Sequence, residues 1–272
     1  MQLNLENLPY QDVAIQSVIK VFDGTVKNTF DNACFEGIRS NTCQLSGQQL
    51  KENIFGVAEN NELKVEIVNI SDDNDLCIEM ETGTGKTLVY IRTIYDLYQQ
   101  YGFAKFIILV PSIAIRQGIL STFRAFSDQL ENIYGIRPNV FEYDSKKLNK
   151  VTNFIEDQYP QVMIMTLASF NSDDKILNQA QREDLFGNMP YIEAVGRTRP
   201  FIIMDEPQEG MDTTNSVRQI AKLNPIFKLR YSATHKLVKN LIYRLTPYDS
   251  YRQGLVKKMK CSPLLKKTMK QL

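Results

Sequence analysis

The sequence lacks tryptophan, has a single histidine, and carries almost no excess of charge, with a net charge of +1 over 272 residues. It also lacks any apolar stretch near the roughly 18 residues that a membrane span requires. The N-terminus has neither the basic nor the apolar region of a signal peptide. With 43% apolar and 23% charged residues, the composition excludes a disordered or collagen-like chain and indicates a globular protein of one or two domains, without a membrane partner.

Cysteine is also scarce, and no CxxC pair is present. The four cysteines are Cys34, Cys43, Cys77 and Cys261. With one histidine, no zinc-ligand set can be assembled by spacing. The cysteines are therefore interpreted as reduced thiols of a cytosolic protein.

Charge is distributed unevenly despite the near-zero sum. Residues 254–272 contain six lysines and no acid, so the other residues carry 26 basic and 31 acidic groups, a net charge of −5. A basic tail can hold nucleic-acid phosphates by counterion release. The alternative is a solvated chain end. The six lysines are Lys257, Lys258, Lys260, Lys266, Lys267 and Lys270.

The central part of the sequence alternates short apolar runs with amphipathic stretches. Apolar residues recur every three or four positions over residues 88–100 and 113–126, as in helices. Buried strands that alternate with helices indicate an α/β fold, with a mainly parallel sheet and helices on both faces. The runs predicted as strands are residues 76–80, 106–110, 140–143, 162–165, 201–204 and 227–231.

The first 70 residues are less regular. Residues 10–21 have a helical pattern, residues 28–47 are polar and predicted as loops, and residues 63–70 alternate like a strand. We expect a smaller irregular N-terminal segment over 1–70, an α/β domain over 71–239 and a basic tail over 240–272.

A glycine-rich motif follows the predicted strand 76–80 and precedes a predicted helix. Its residues are Thr82-Gly83-Thr84-Gly85-Lys86-Thr87. In this context the backbone amides and the helix N-terminus can surround phosphates, Lys86 can reach the β- and γ-phosphates of ATP, and Thr87 can coordinate Mg²⁺. The general pattern would place a glycine where this chain has Met80, and the alternative is a simple tight turn.

An acidic pair, Asp205-Glu206, follows the predicted strand 201–204. This order places carboxylates at the carboxyl edge of the sheet, where α/β proteins bind ligands. Asp205 is predicted to hold Mg²⁺ and Glu206 to polarise the attacking water, which makes Lys86, Asp205 and Glu206 the candidate catalytic residues. On its own, such a pair is more often part of a loop or a helix cap.

Longer strings resemble one family in particular. Residues 79–87 (EMETGTGKT), 105–112 (KFIILVPS), 205–208 (DEPQ) and 231–235 (YSATH) resemble motifs of superfamily 2 helicases, and especially of the restriction (Res) subunit of type III restriction–modification enzymes. The similarity extends over most of the chain. It implies a RecA-like P-loop NTPase domain that is the first motor domain of such a subunit.

The resemblance implies roles for further residues. Tyr10 would stack on adenine and Gln11 would bond the edge of the base, whereas the alternative is the start of an amphipathic helix. Pro111, Ser112 and Thr166 would hold a DNA strand, although Thr166 is also typical of a helix N-cap. The residues that would couple the nucleotide site to the DNA path are Gln208, Ser232, Thr234 and His235.

The resemblance also implies cofactors and partners. They are ATP and Mg²⁺, duplex DNA, and the modification (Mod) methyltransferase subunit, in the cytoplasm of a prokaryotic cell. The whole enzyme would be a site-specific deoxyribonuclease with DNA-dependent ATPase activity. The second RecA-like domain and the nuclease domain of the family have no counterpart in the sequence, so we expect this chain to bind ATP with little turnover. The alternatives are the ATPase domain of another superfamily 2 helicase and an inactive truncated remnant.

Overall fold

The structure, a computed structural model, describes residues 5–6, 8–35, 37–179, 189–246 and 248. Its strands are β1 (Cys34–Phe35), β2 (Ile38–Arg39), β3 (Asp75–Met80), β4 (Lys105–Val110), β5 (Asn139–Glu142), β6 (Gln161–Thr166), β7 (Phe201–Asp205), β8 (Phe227–Ser232) and β9 (Leu241–Leu245). Its α-helices are α1 (Pro9–Lys20), α2 (Phe30–Ala33), α3 (Gly47–Asn60), α4 (Val65–Val68), α5 (Lys86–Tyr101), α6 (Ile113–Tyr134), α7 (Asn149–Glu156), α8 (Tyr191–Arg197) and α9 (Thr214–Ala221).

A seven-stranded sheet forms the centre of the molecule, in the order β5-β6-β4-β7-β8-β3-β9. Each pair of neighbouring strands is parallel. Strands β1 and β2 form a separate antiparallel pair. In the parallel sheet every strand ends at the same edge, so loops distant in sequence meet there.

Two hydrophobic cores cover the two faces of the sheet. Side chains alternate along each strand, so Ile108 faces a core shared with α1, α3, α5 and α6, whereas Ile107 and Leu109 face a core shared with α7, α8 and α9. The predicted α/β class, with a parallel sheet and helices on both faces, is confirmed. The continuous apolar runs exist because both faces of these strands are buried.

The strand expected over residues 63–70 is wrong. Residues Val65–Val68 form one helical turn, which ends where Asn69 adopts a left-handed φ of 49°. Val65 is 61% exposed, so the alternation of apolar residues in this segment does not report a buried sheet face.

Helix α3 lies within the region where the sequence analysis identified no element. Its start carries a capping box: Ser46 Oγ accepts from the Gln49 amide at 3.2 Å, and Gln49 Oε1 accepts from the Ser46 amide at 3.1 Å. The sequence signal was therefore present as S-x-x-Q before an amphipathic stretch.

The sheet extends beyond residue 239, because β9 pairs with β3. Helix α1 packs into the same core as that pair, and Tyr243 Oη donates to the backbone carbonyl of Tyr10 at 2.9 Å. The three-part domain division stays a proposal, and the six lysines of the basic segment lie outside the described residues. Within the part that the structure describes, none of the helices is both long and apolar enough to cross a bilayer.

Candidate active site

The three motifs with the strongest chemical signal meet at the carboxyl edge of the sheet. The glycine-rich loop follows β3, the acidic pair ends β7, and Ser232 ends β8, which lies between β3 and β7. Neighbouring parallel strands are about 4.8 Å apart, so residues at these three ends lie within reach of one another.

The glycine-rich loop has a backbone that its two glycines permit. Gly83 and Gly85 have φ values of 84° and 86°, in the left-handed region. The Thr84 hydroxyl donates to the carbonyl of Glu81 at 2.6 Å and braces the turn. Lys86 is the first residue of α5, so the loop leads directly into a helix N-terminus, a position that favours anions.

Lys86 and Glu206 form an ion pair between Nζ and Oε1, and their side chains are only 10% and 19% exposed. Glu206 Oε2 also accepts from Gln208 Nε2 at 2.6 Å and lies 2.8 Å from Ser232 Oγ. Burial raises the pKa of Glu206, but the hydrogen bonds from Lys86, Gln208 and Ser232 outweigh it and leave the pKa below its usual value. Glu206 is therefore a carboxylate at neutral pH.

Asp205 is 7% exposed at the end of β7. Burial raises its pKa to about 6, with Lys86 lowering it and Glu206 raising it. Tyr90 Oη, on the buried side of α5, donates to Asp205 Oδ2 at 3.4 Å. Thr87, half-buried at the second position of α5, also lies beside the Tyr90 hydroxyl. Thr87 and Asp205 thus supply a hydroxyl and a carboxylate on neighbouring elements, a donor set that suits Mg²⁺.

Glu206 adopts a left-handed φ of 50° although it is not a glycine. Its amide still donates to the carbonyl of Tyr231 at 2.9 Å, so the chain turns sharply immediately after this bond. Strained backbone of this kind is concentrated at functional sites. Here it turns the Glu206 side chain toward Lys86.

Tyr10 and Gln11 contact the loop from the start of α1. Tyr10 Oη and Gln11 Nε2 donate to the carbonyl of Thr84 at 2.9 and 3.0 Å. A Cβ on Gly85 would lie 2.4 Å from Gln11 Nε2. Gln11 Oε1 is buried with no hydrogen-bond partner among the described residues. The structure thus places the predicted adenine-binding pair against the phosphate loop, with one acceptor unused.

Ser232 links the remaining predicted coupling residues. Its hydroxyl lies 2.9 Å from Gln208 Oε1 and 2.8 Å from the carbonyl of Thr234, and it accepts from the Thr234 amide at 3.2 Å. His235 follows, and burial lowers its pKa to about 4, against the opposite influence of Glu79. The imidazole is therefore neutral at pH 7.

The predicted DNA-binding residues lie on the same edge but on other strands. Pro111 and Ser112 follow β4, where Ser112 Oγ caps α6 by accepting from the Ile115 amide at 3.3 Å. Thr166 ends β6, is 8% exposed, and has its hydroxyl 3.1 Å from Ser169 Oγ. The structure gives Thr166 the N-cap position of a short 3-10 turn without a side-chain cap bond. These residues lie apart from Lys86, because β7 and β8 separate β4 and β6 from β3.

The sequence analysis missed Tyr90 and Arg244. Arg244 of β9 forms an ion pair with Glu79, one residue before the end of β3. Tyr90 lies within the stretch predicted as a helix but was assigned no role, and Arg244 fell in the segment expected to be a tail. Neither has a sequence signal, because each contact joins residues more than 100 positions apart.

Comparison with known proteins gives one family and several relatives. The family model described as type III restriction enzyme, res subunit, matches residues 4–237. The Res subunit of the EcoPI enzyme from Escherichia phage P1 is 30% identical over 93% of this chain, and that of EcoP15I from Escherichia coli is 30% identical over 93%. In both cases the match covers 28% of the relative, so the chain spans little more than a quarter of these proteins.

Two solved structures are similar in shape at low sequence identity. A nuclease-deletion mutant of the Type ISP enzyme LlaGI, in complex with a DNA substrate mimic, is 16% identical with a TM-score of 0.44, over 85% of this chain and 22% of that one. The Hef helicase domain of Pyrococcus furiosus is 15% identical with a TM-score of 0.41, over 77% of this chain and 40% of that one.

Proposed function

We propose, since this chain belongs to the type III restriction enzyme res-subunit family, that it is an ATP-binding motor domain for DNA translocation. The observation that carries the proposal is the meeting of Lys86, Asp205 and Glu206, from motifs about 120 positions apart, at the ends of β3 and β7, which flank β8. Phosphoryl transfer requires a phosphate-binding loop, a metal and a positioned water, and this edge offers residues for all three.

The loop residues suit a nucleotide polyphosphate. Gly83 and Gly85 have positive φ values, a backbone conformation that residues with a side chain rarely adopt. Lys86 places a positive charge at the start of α5. We assign phosphate binding to Thr82, Gly83, Thr84, Gly85, Lys86 and Thr87. Tyr10 and Gln11 would bind adenine, because the free acceptor of Gln11 can receive an amino-group proton.

Thr87 and Asp205 would hold Mg²⁺, which supplies charge neutralisation on the phosphates. Glu206 would accept a hydrogen bond from the attacking water. Because Glu206 is now bonded to Lys86, nucleotide binding must first draw Lys86 toward the phosphates. That exchange leaves Glu206 with Gln208 and Ser232 and frees one carboxylate oxygen.

The Ser232 hydroxyl can transmit the change at Glu206 to Gln208 and Thr234. It has one proton and lies near three acceptors, on Glu206, Gln208 and Thr234, so a new charge at Glu206 changes which acceptor it serves. We propose that Ser232, Gln208, Thr234 and His235 transmit the state of the nucleotide, and that Pro111, Ser112 and Thr166 hold one DNA strand.

In our proposal, the activity of the whole enzyme also requires domains and a subunit other than this motor domain. We propose that it works with a second RecA-like domain, a nuclease domain and a modification subunit on duplex DNA, in the cytoplasm of a prokaryotic cell. The second motor domain would supply an arginine finger, worth roughly 10³–10⁵ in rate in phosphoryl transfer. For that reason the chain alone should bind ATP with little turnover.

The test is ATP binding and steady-state hydrolysis by the 272-residue chain, with and without duplex DNA, using Lys86→Ala as the blank. Saturable binding that Lys86→Ala abolishes supports the assignment of the loop. Turnover stimulated by DNA would show that one domain contains a working site. Equal ATP affinity in the wild type and in Lys86→Ala would contradict the proposal.

A further inference from the structure

A pocket of about 340 Å³ lies at the opposite, amino edge of the sheet. It is bounded by residues 27–30, by the end of α5 and by residues 158–159, which precede β6. Its volume is within the range of about 300–1,000 Å³ that small-molecule sites occupy. The length of β4, six residues at about 3.3 Å each, separates this edge from the candidate active site. The residues that line the pocket are Lys27, Asn28, Thr29, Phe30, Arg39, Tyr98, Gly102, Gln158 and Tyr159.

Arg39 is the unusual member of this pocket. It is 4% exposed, and its Nη1 has no hydrogen-bond partner among the described residues. The Phe30 ring lies beside the guanidinium, with its centroid 5.9 Å from Cζ. Burying a charged donor without an acceptor is costly, so this guanidinium is arranged for an acceptor that the chain's described part does not supply.

A second buried arginine shows the usual solution. Arg230 is 3% exposed, but its Nη2 donates to Asp212 at 2.6 Å and Nη1 faces Asp75 at 3.4 Å. Burial lowers the pKa of both arginines, but the carboxylates reverse the effect for Arg230, whose pKa is raised, whereas the pKa of Arg39 stays lowered. Among the described residues, Arg39 therefore has no carboxylate partner of the kind that balances the buried guanidinium of Arg230.

The local backbone holds Arg39 in place. Asn41, two residues beyond, donates from Nδ2 to the carbonyls of Lys105 and Arg199 at 2.9 and 3.1 Å, and its Oδ1 accepts from the Ala104 amide at 2.8 Å. These bonds fix the segment after β2 across the beginnings of β4 and β7. The backbone next to Arg39 is thus held in place before a ligand binds, which lowers the entropic cost of binding.

The other lining residues give the pocket its chemical character. None of them is acidic, and Lys27 adds a second positive charge. Lys27 Nζ donates to the carbonyl of Gln99 at 2.7 Å, which leaves two of its three protons free. Phe30 and Tyr159 are 45% and 61% exposed. Two cations beside exposed aromatic rings are the combination that binds phosphate together with a stacked base.

We propose that this pocket binds a nucleotide monophosphate unit, with the phosphate held by Arg39 and Lys27 and the base against Phe30 or Tyr159. The unit can come from a free nucleotide or from a single strand of nucleic acid, since both present a phosphate beside a base. The site is separate from the proposed ATP site and does not depend on it.

The experiment is calorimetric titration of the full chain with thymidine 5′-monophosphate at low salt, up to about 10 mM, where millimolar affinities are measurable. We expect saturable binding that is tighter than binding of thymidine or inorganic phosphate alone. Arg39→Gln should weaken it by about tenfold or more, because charge-assisted hydrogen bonds are the strong ones. Phe30→Leu should weaken it several-fold.

Three controls make the result specific. Arg197→Gln removes an exposed arginine outside the pocket and should leave the affinity unchanged. Lys86→Ala should also leave it unchanged, which separates this site from the proposed ATP site. Arg39→Met should not lower the melting temperature, because Nη1 of the arginine it replaces has no hydrogen-bond partner in the part of the chain that the structure describes.

A short oligothymidylate distinguishes the two sources. Arg39-dependent binding that is tighter than that of the monophosphate assigns the site to a nucleic-acid strand, and weaker binding assigns it to a free nucleotide. The proposal is overturned by the absence of saturable binding, by equal affinity in Arg39→Gln, or by binding that requires Lys86 and not Arg39.

Discussion

Lys86 Nζ is paired with Glu206 Oε1 at the centre of the candidate active site, so the cation and the carboxylate of two separate motifs neutralise each other. In our proposal Lys86 serves the phosphates and Glu206 serves the water. In the structure, each of these two groups is therefore paired with the other and is not free for its proposed role.

Glu206→Gln is expected to tighten ATP binding about fivefold while lowering any turnover by at least about a hundredfold. The neutral amide competes less for Lys86 in a pair whose side chains are 10% and 19% exposed, and fivefold in affinity corresponds to about 1 kcal/mol. The loss of the base accounts for the rate. Titration with a fluorescent ATP analogue and a steady-state assay measure the two effects. Glu193→Gln, which breaks an exposed pair with Arg197, is the control, and unchanged turnover in Glu206→Gln would contradict the assigned role.

Gly85→Ala is expected to lower the free energy of unfolding by about 1–2 kcal/mol, the cost of a side-chain-bearing residue in a left-handed conformation. The added methyl would also displace Gln11 Nε2, 2.4 Å away, from the loop. Gly118→Ala is the matched control. Gly118 lies inside α6 with nothing within 4 Å of the added carbon, so that variant should gain about 0.5–1 kcal/mol. Urea unfolding measures both, and equal shifts would refute the strain at Gly85.

Tyr90→Phe is expected to raise the Mg²⁺ concentration needed for nucleotide binding by up to about tenfold. This is the low end of the loss of metal affinity seen when a residue that hydrogen-bonds a metal ligand is removed. The hydroxyl that orients Asp205 is lost, while the ring still packs on Tyr231, 5.5 Å between centroids. Tyr95→Phe, on the same helix with its ring against Tyr134, should leave the Mg²⁺ requirement unchanged. An unaltered Mg²⁺ requirement in Tyr90→Phe would show that Asp205 is held without it.

Lys105 predicts a pH dependence of stability. It is fully buried, and Nζ donates to the carbonyls of Phe154 and Asp157 at the end of α7. Burial lowers its pKa to about 7, with Asp157 acting in the opposite direction. Between that value and the unfolded pKa near 10.4, the unfolded chain binds the proton more strongly, so raising the pH stabilises the fold.

The measurement is the difference in unfolding free energy between the wild type and Lys105→Met at pH 7, 8 and 9. The wild type should gain relative to the variant by up to about 1.4 kcal/mol per pH unit over this window. Lys51→Met, which removes a 40% exposed lysine, should show no such trend. A flat difference for Lys105→Met would mean that its pKa is not depressed.

The parts of the fold that could be predicted are those that depend on short stretches of sequence. Residues 106–110 were recognisable as a strand because every side chain is apolar and both sheet faces are covered. Lys86, Asp205 and Glu206 were recognisable because their motifs are short and follow apolar runs. The structure places these three side chains together, and their chemical roles remain a proposal.

The unpredicted parts depend on contacts between distant residues. The sequence of β9 was not recognised as a strand. These residues form one because they pair with the edge of β3. The burial of Lys105 depends on the end of α7, some 50 positions later. The sequence analysis did not single out Arg39, because its burial beside Phe30 is visible only in the structure.

The position of β3 between β8 and β9 has a consequence for synthesis of the protein. The strand that leads into the phosphate-binding loop is made early, but both of its neighbours are the last two strands of the sheet. At about 5–20 residues per second on the ribosome, β3 waits on the order of ten seconds or more for a partner. During that interval β4 and β6 can pair, while β3 and α1 leave apolar surface open. Chaperone binding to nascent chains should therefore be concentrated on the N-terminal third and should cease once Leu245 leaves the exit tunnel.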